Sequence, residues 1–253
     1  MRVVLSLAVV VALVGRAGAD ARIAPTVLTV PTAFVQPGTS LYLSGGVDHR
    51  RGSQVRATAS YARLVEVDVG GDSLVHGCDP CAGAARATRA VQTTTAGWKL
   101  GLARGSAALA VGVRVPITGS PDARVGQVFT VAGLRLGLAR VHLGAAAWAT
   151  EHRGADGGVV RTRAGAALRP LAGLEWTPTI YPRTTVAADL QWVPELGPTA
   201  AATTPRWVFT WGVRYQALAW SDIELTVQHR ELDQLGEATV MVRASAILAA
   251  RPR

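Results

Sequence analysis

The chain has 253 residues, 49% of them hydrophobic and only 17% charged, with 27 glycines and a formal net charge of +9. It is too apolar and too patterned for a disordered chain, and long enough for one large domain or two small ones. Lys99 is the only lysine, so the basic charge is almost all arginine. The arginines form no cluster or basic helix, which argues against a nucleic-acid partner.

The first element is a processing segment. Met1-Arg2 precedes the apolar run "VVLSLAVVVALV", and Ala17-Gly18-Ala19 fits a small-x-small cleavage site. A charged start, a short apolar run and such a site read as a signal peptide over 1–19, removed on export. Elsewhere the sequence has no run of about 18 apolar residues, so a membrane protein of this sequence has to cross as a barrel. Residues 20–38 include "RIAPTVLTVPTAFVQPG", with three prolines. They read as an extended, periplasmic lead-in.

From residue 39 to 250, segments of alternating polarity recur, separated by turn signals. They are placed at 39–48, 53–61, 64–70, 95–103, 106–115, 126–138, 141–150, 160–177, 184–193, 206–217, 222–231 and 237–249. That is about twelve strands, an even number, as a bacterial single-chain barrel requires. The stretch "WVFTWGVRY" at 207–215 shows the pattern: Trp207, Phe209, Trp211, Val213 and Tyr215 fall on one face.

The connections alternate along the chain between short (Ala62-Arg63, Arg104-Gly105, Ala139-Arg140, "TIYPR", "LAWSD") and long (71–94, 116–125, 151–159, 194–205, 232–236), the first hairpin "HRRG" excepted. Short turns on one side and longer loops on the other are the habit of outer-membrane barrels. Tyr61, Trp176, Tyr181, Tyr215 and Trp220 fall at the inner strand ends, and Trp98, Trp192 and Trp207 near the outer ends. These predict two interfacial aromatic girdles. Trp148 has the other parity and points inward.

Charges follow the same period. Alternation puts Arg56, Lys99, Arg114, Arg135, Arg161, Arg163, Arg169, Arg214, Arg230 and Arg243 on the face away from lipid, together with Glu66, Asp68, Glu175, Asp189 and Glu224. A mid-strand charge facing lipid would cost on the order of 2–4 kcal/mol. Arg161, Arg163 and Arg169, read as one strand, are candidates for an anion ladder.

With the signal peptide, the stretches "LYLSGGVDHRRGSQVRATASYARLVEVDVG" and "GLEWTPTIYPRTTVAADLQWVPEL" resemble the small outer-membrane β-barrel proteins of Gram-negative bacteria, in the style of high-GC, myxobacteria-like genomes. The resemblance implies an all-β, antiparallel up-and-down transmembrane barrel of about twelve strands, exported to the bacterial outer membrane. One departure stands: such proteins usually end on an aromatic, whereas this chain ends "SAILAARPR".

Cys78 and Cys81, in "HGCDPCAG", sit in the longest outer loop. A redox pair wants a βαβ context, and zinc wants two more ligands, with only His76 adjacent. In an exported chain the two cysteines are expected to join as a local disulfide. His229 has lipid-side parity near the outer rim, and His142 has inward parity near Glu175 and Asp189. Neither has a serine or other nucleophile placed for it to activate, so no catalytic, metal or cofactor site is expected. The predicted function is an integral outer-membrane barrel forming a narrow channel for small, anionic solutes, with the lipid as its other partner. The alternatives are a structural or assembly-associated barrel with a charge-zipped lumen, and a barrel-embedded lipid-modifying enzyme.

Overall fold

The computed structural model describes residues 24–36, 38–49, 52–78, 88–117, 123–153, 158–162, 168–197, 199–200, 202–231 and 237–249. The expected signal peptide and Arg163 lie outside these residues. So does Cys81, and with it the expected Cys78–Cys81 disulfide.

Among the described residues the strands are β1 (Ser40–Asp48), β2 (Ser53–Tyr61), β3 (Val65–Asp72), β4 (His76–Cys78), β5 (Thr88–Ala90), β6 (Thr93–Arg104), β7 (Ala107–Pro116), β8 (Ala123–Leu136), β9 (Ala139–Arg153), β10 (Val159–Thr162), β11 (Arg169–Trp176), β12 (Thr184–Leu196), β13 (Thr204–Leu218), β14 (Ser221–Arg230) and β15 (Thr239–Ala249). Each long strand pairs antiparallel with its neighbours, and β1 pairs with β15 from Ser40↔Ala249 to Asp48↔Met241. With β11 joining β9 to β12, the sheet closes on itself into a barrel. β10 and β11 both pair with β9, at its two ends, and count as one interrupted stave. The barrel has twelve staves, with β4 and β5 as an extra hairpin.

Alternation decides what each face meets. Leu102, Leu109, Val128, Leu143, Leu225 and Val242 point outward with 50–69% exposure. The opposite face carries buried Glu66, Asp68, Lys99, Glu175, Asp189, Arg214, Glu224 and Arg243. In water this would be inside out, whereas in a bilayer it is the expected arrangement. In "WVFTWGVRY", Trp211 and Tyr215 are 45% and 48% exposed while Arg214 is buried.

The short connections lie at one end of the barrel. The β2–β3 turn holds Ala62 and Arg63 at φ 54° and 60°, and the β6–β7 and β8–β9 turns place Gly105 and Gly137 at φ 61° and 60°. The long connections lie at the other end. One of them folds inward: β4 runs parallel to the end of β12, pairing Glu195↔His76 and Leu196↔Gly77. Leu74, Val75 and Val91 there join a buried cluster with Val125, Val193, Leu196 and Val208.

The sequence reads the Pro-rich segment as an extended periplasmic lead-in and leaves open whether it enters the lumen. Residues 24–36 lie within the barrel, every one buried except half-buried Thr26 and Thr29. The segment folds back at Val27–Val30 and pairs Thr26 with Pro31. It fills the half of the interior nearer the short turns. There Val30, Ala33 and Phe34 pack on Ala108, Phe129, Val131, Ala146 and Leu171 of the wall.

Candidate functional site

The interior wall carries two connected ion-pair networks. In one, Arg56 pairs with Asp68 and with Asp72 at 3.2 Å, and Arg114 lies 3.6 Å from Asp68. In the other, Glu175 receives Arg140 at 3.2 Å and Arg214 at 3.0 Å, while Glu224 takes Arg214 at 2.8 Å and Arg243. Lys99 pairs with Glu66. Cross-strand register builds these contacts, since Arg214↔Glu224 and Glu224↔Arg243 are directly opposed pairs.

Asp189 differs from the other buried acids. Among the described residues it meets no cation. Its Oδ2 accepts the backbone N–H groups of Leu28, Thr29 and Val30 at 3.0, 2.6 and 2.9 Å, and its Oδ1 accepts the Thr29 hydroxyl at 2.9 Å. Three successive amides converging on one anion form a backbone nest, here wrapped around a wall carboxylate. The Gln191 amide, two residues on and on the same face, donates to Thr29 Oγ1 at 2.9 Å.

The rest of the segment is held in the same manner. Lys99 Nζ donates to the carbonyls of Thr32 and Phe34, each at 3.2 Å. Arg243 donates to Leu28 O at 3.1 Å, and Arg214 to Val27 O. The Gln36 N–H donates to Glu66 Oε1 at 3.0 Å, and the Ala33 N–H to His142 Nδ1 at 3.3 Å. The Arg135 guanidinium lies 4.5 Å from the Phe34 ring centroid, a cation–π contact. Wall residues thus supply the partners that a buried backbone needs.

Wall glycines supply the room. A Cβ on Gly173 would come within 2.7 Å of the Val27 side chain, and one on Gly133 within 2.8 Å of Ala33 Cβ. A Cβ on Gly101 would meet Val35. Facing the long loops, Arg230 donates to Leu74 O of the infolded connection, and Trp148 Nε1 donates to Trp192 O at 2.8 Å. Between the segment and this connection remains a cavity of about 50 Å³ that Arg56, Arg114, Arg243, Gln127 and Trp148 help line. A second, of about 150 Å³, opens among the short turns, bordered by Ala24, Arg140, Arg183, Arg214 and Asp222.

The structure brings together most of the charges placed inward by alternation, but not the arginine ladder. Thr162 pairs with Thr150 and Arg169 with Ala146, so seven steps along β10–β11 match four along β9. The odd excess reverses the facing between the two pieces. Arg161 consequently points outward, its side chain 72% exposed, and binds Glu151 at 2.8 Å. Arg169 keeps inward parity but is exposed. Arg135 is exposed at the inner rim, over Phe34. Of the aromatics, Tyr61, Trp98, Trp176, Tyr181 and Tyr215 are exposed, Trp220 is half-buried, and Trp192 and Trp207 face each other as a half-buried cross-strand pair. His142 is fully buried against Glu175, Phe34 and the Ala33 amide, while His229 is half-buried on the outward face. Sequence reasoning missed Arg140, Gln191 and the three glycines. The glycines had a signal, because each falls on the inward parity of a strand near its short-turn end.

No family model matches the chain, and no curated protein matches it. Among solved structures it is similar to a KdgM porin in complex with disordered oligogalacturonate, at 8% identity and a TM-score of 0.51, over 84% of this chain and 99% of that one. It is likewise similar to a chain from a structure described as "Unveiling the Mechanism Behind the in-meso Crystallization of Membrane Proteins", at 9% identity and a TM-score of 0.51, over 85% of each chain. At such identities the likeness is one of fold: the outer-membrane type of antiparallel β-barrel.

Proposed function

We propose that the protein is an outer-membrane channel for small, anionic solutes. The observation that carries this reading is the basic character of the two interior spaces. Arg56, Arg114 and Arg243 outnumber Asp72 around the central cavity, and Arg140, Arg183 and Arg214 outnumber Asp222 around the short-turn opening. Guanidinium groups bind carboxylates and phosphates in bidentate fashion, and a basic constriction favours anions by its field. The oligogalacturonate named with the similar porin is a chain of sugar acids and agrees in sign.

A second reading, a structural barrel with a closed interior, is favoured by the ion-pair networks and by the two infolded segments. Planar-bilayer recording separates them. The channel reading expects small, anion-selective currents, and replacing Arg56 and Arg114 together with serine should shift the reversal potential toward cations. Folded protein that stays electrically silent even after the N-terminal segment has been freed would sink the channel reading.

A further inference from the structure

We propose that residues 24–36 are a tethered peptide ligand of the barrel, bound by their backbone in a site built on Asp189, and that they close the pathway until they leave toward the short turns. The proposal rests on the channel reading above and names what regulates it.

The segment is attached as a ligand is attached, not as a strand. Most of its polar contacts to the wall are side-chain to backbone: Asp189 to three amides, Lys99 and Arg214 to two carbonyls each, Arg243 to one, and Glu66 and His142 to single amides. Its one β-bridge is internal, between Thr26 and Pro31. Removing it would leave every rung of the barrel ladder in place. The wall is also shaped for it, with Gly101, Gly133 and Gly173 each leaving a hollow that a segment side chain fills.

Asp189 is the residue that makes the site specific. Glu66, Asp68, Glu175 and Glu224 each have a cation of the wall as partner, and Asp189 has the segment. A buried carboxylate without a cation or donors is costly, so the wall around Asp189 is complete only with the segment bound. The direction of release follows from what lies at each end. Toward the long loops, Leu74 and Val75 cover the interior. Toward the short turns, Ala24 borders the open cavity of about 150 Å³.

The test uses the full chain with Cys78 and Cys81 replaced by serine, and correct folding is read from heat-modifiable gel migration. A Cβ on Gly173 lies 3.3 Å from Val27 Cβ, close to the separation of about 3.5–4.5 Å found in disulfides. Val27→Cys with Gly173→Cys should therefore lock the segment when oxidised. In planar bilayers the oxidised pair should be silent, and reduction should restore openings. Asp189→Ala loses charge-assisted hydrogen bonds, and its open probability should rise about tenfold or more. A single Val27→Cys should resist a maleimide probe in the parent and react in the Asp189→Ala background. Equal currents from the oxidised and reduced pair would overturn the proposal, as would equal labelling of Val27→Cys in both backgrounds. Labelling released by Asp189→Ala without any current would support the docking of the segment and overturn the channel reading instead. Where Asp189→Ala fails to fold, the locked pair carries the test alone.

Discussion

Glu175 accepts from Arg214, forms an ion pair with Arg140 and faces His142 Nε2 at 3.6 Å, all within a wall that excludes water from its carboxylate. Removing one member of a buried ion pair leaves the other charge uncompensated. Glu175→Gln is therefore expected to destabilise the barrel by about 3 kcal/mol, read as a shift of the urea midpoint in detergent micelles. An unchanged midpoint would mean that the network contributes little. At this scale the sequence was informative about facing and silent about partners. Period-two alternation is enough to turn Glu175, Arg214 and Glu224 inward. It does not say that Arg214 bridges both acids, because Glu175 and Glu224 come from strands far apart in the chain. Arg161 shows where the rule fails: an odd excess of residues between β10 and β11 reverses facing, and alternation read straight through 160–177 cannot register that.

The hairpins and strands carry their own predictions. Ala62 and Arg63 both hold positive φ in the β2–β3 turn, a conformation that costs a residue with a side chain roughly 1–2 kcal/mol and that Asn-Gly adopts readily. Ala62→Asn with Arg63→Gly should raise stability by about 1 kcal/mol, seen as a higher unfolding midpoint; a fall would show that the Arg63 side chain matters more than the backbone. On β13, Trp211 stands on the outward face with 45% exposure. Trp211→Arg should cost on the order of 2–4 kcal/mol in lipid, whereas in a water-soluble protein the same change would be nearly neutral; folding yield into vesicles of defined lipid measures it. Strand positions were readable to within a few residues because each long strand alternates cleanly over its own length. The hairpin β4–β5 was not, since three-residue strands are too short to show a period.

For the whole molecule, closure between β1 and β15 predicts a barrel that survives detergent. Unheated protein should migrate faster on a gel than boiled protein, and identical migration would contradict a closed barrel. The barrel and its segregated loops followed from repetition along the sequence. The placement of residues 24–36 did not, because nothing local marks it. Three prolines across 22–38 read as an extended lead-in, and the residues that receive the segment are scattered over β3, β6, β9, β12, β13 and β15. Only the wall glycines hinted that the interior had a tenant.

The seam between β1 and β15 also orders events in time. Ser40 pairs with Ala249, so the last rungs join residues from opposite ends of the chain, the kind of distant pairing that makes folding slow. The segment ends only a few residues before β1, yet Arg243 of β15 grips Leu28, and Ala24 packs with Tyr42 of β1 and Ile247 of β15. It spans both sides of the joint. A chain that zipped its seam with this segment still outside would have to thread it in afterwards through the short-turn mouth. Zipping around it instead would make the N-terminal residues a template for closure, and the last strand to arrive would find its docking partner already waiting.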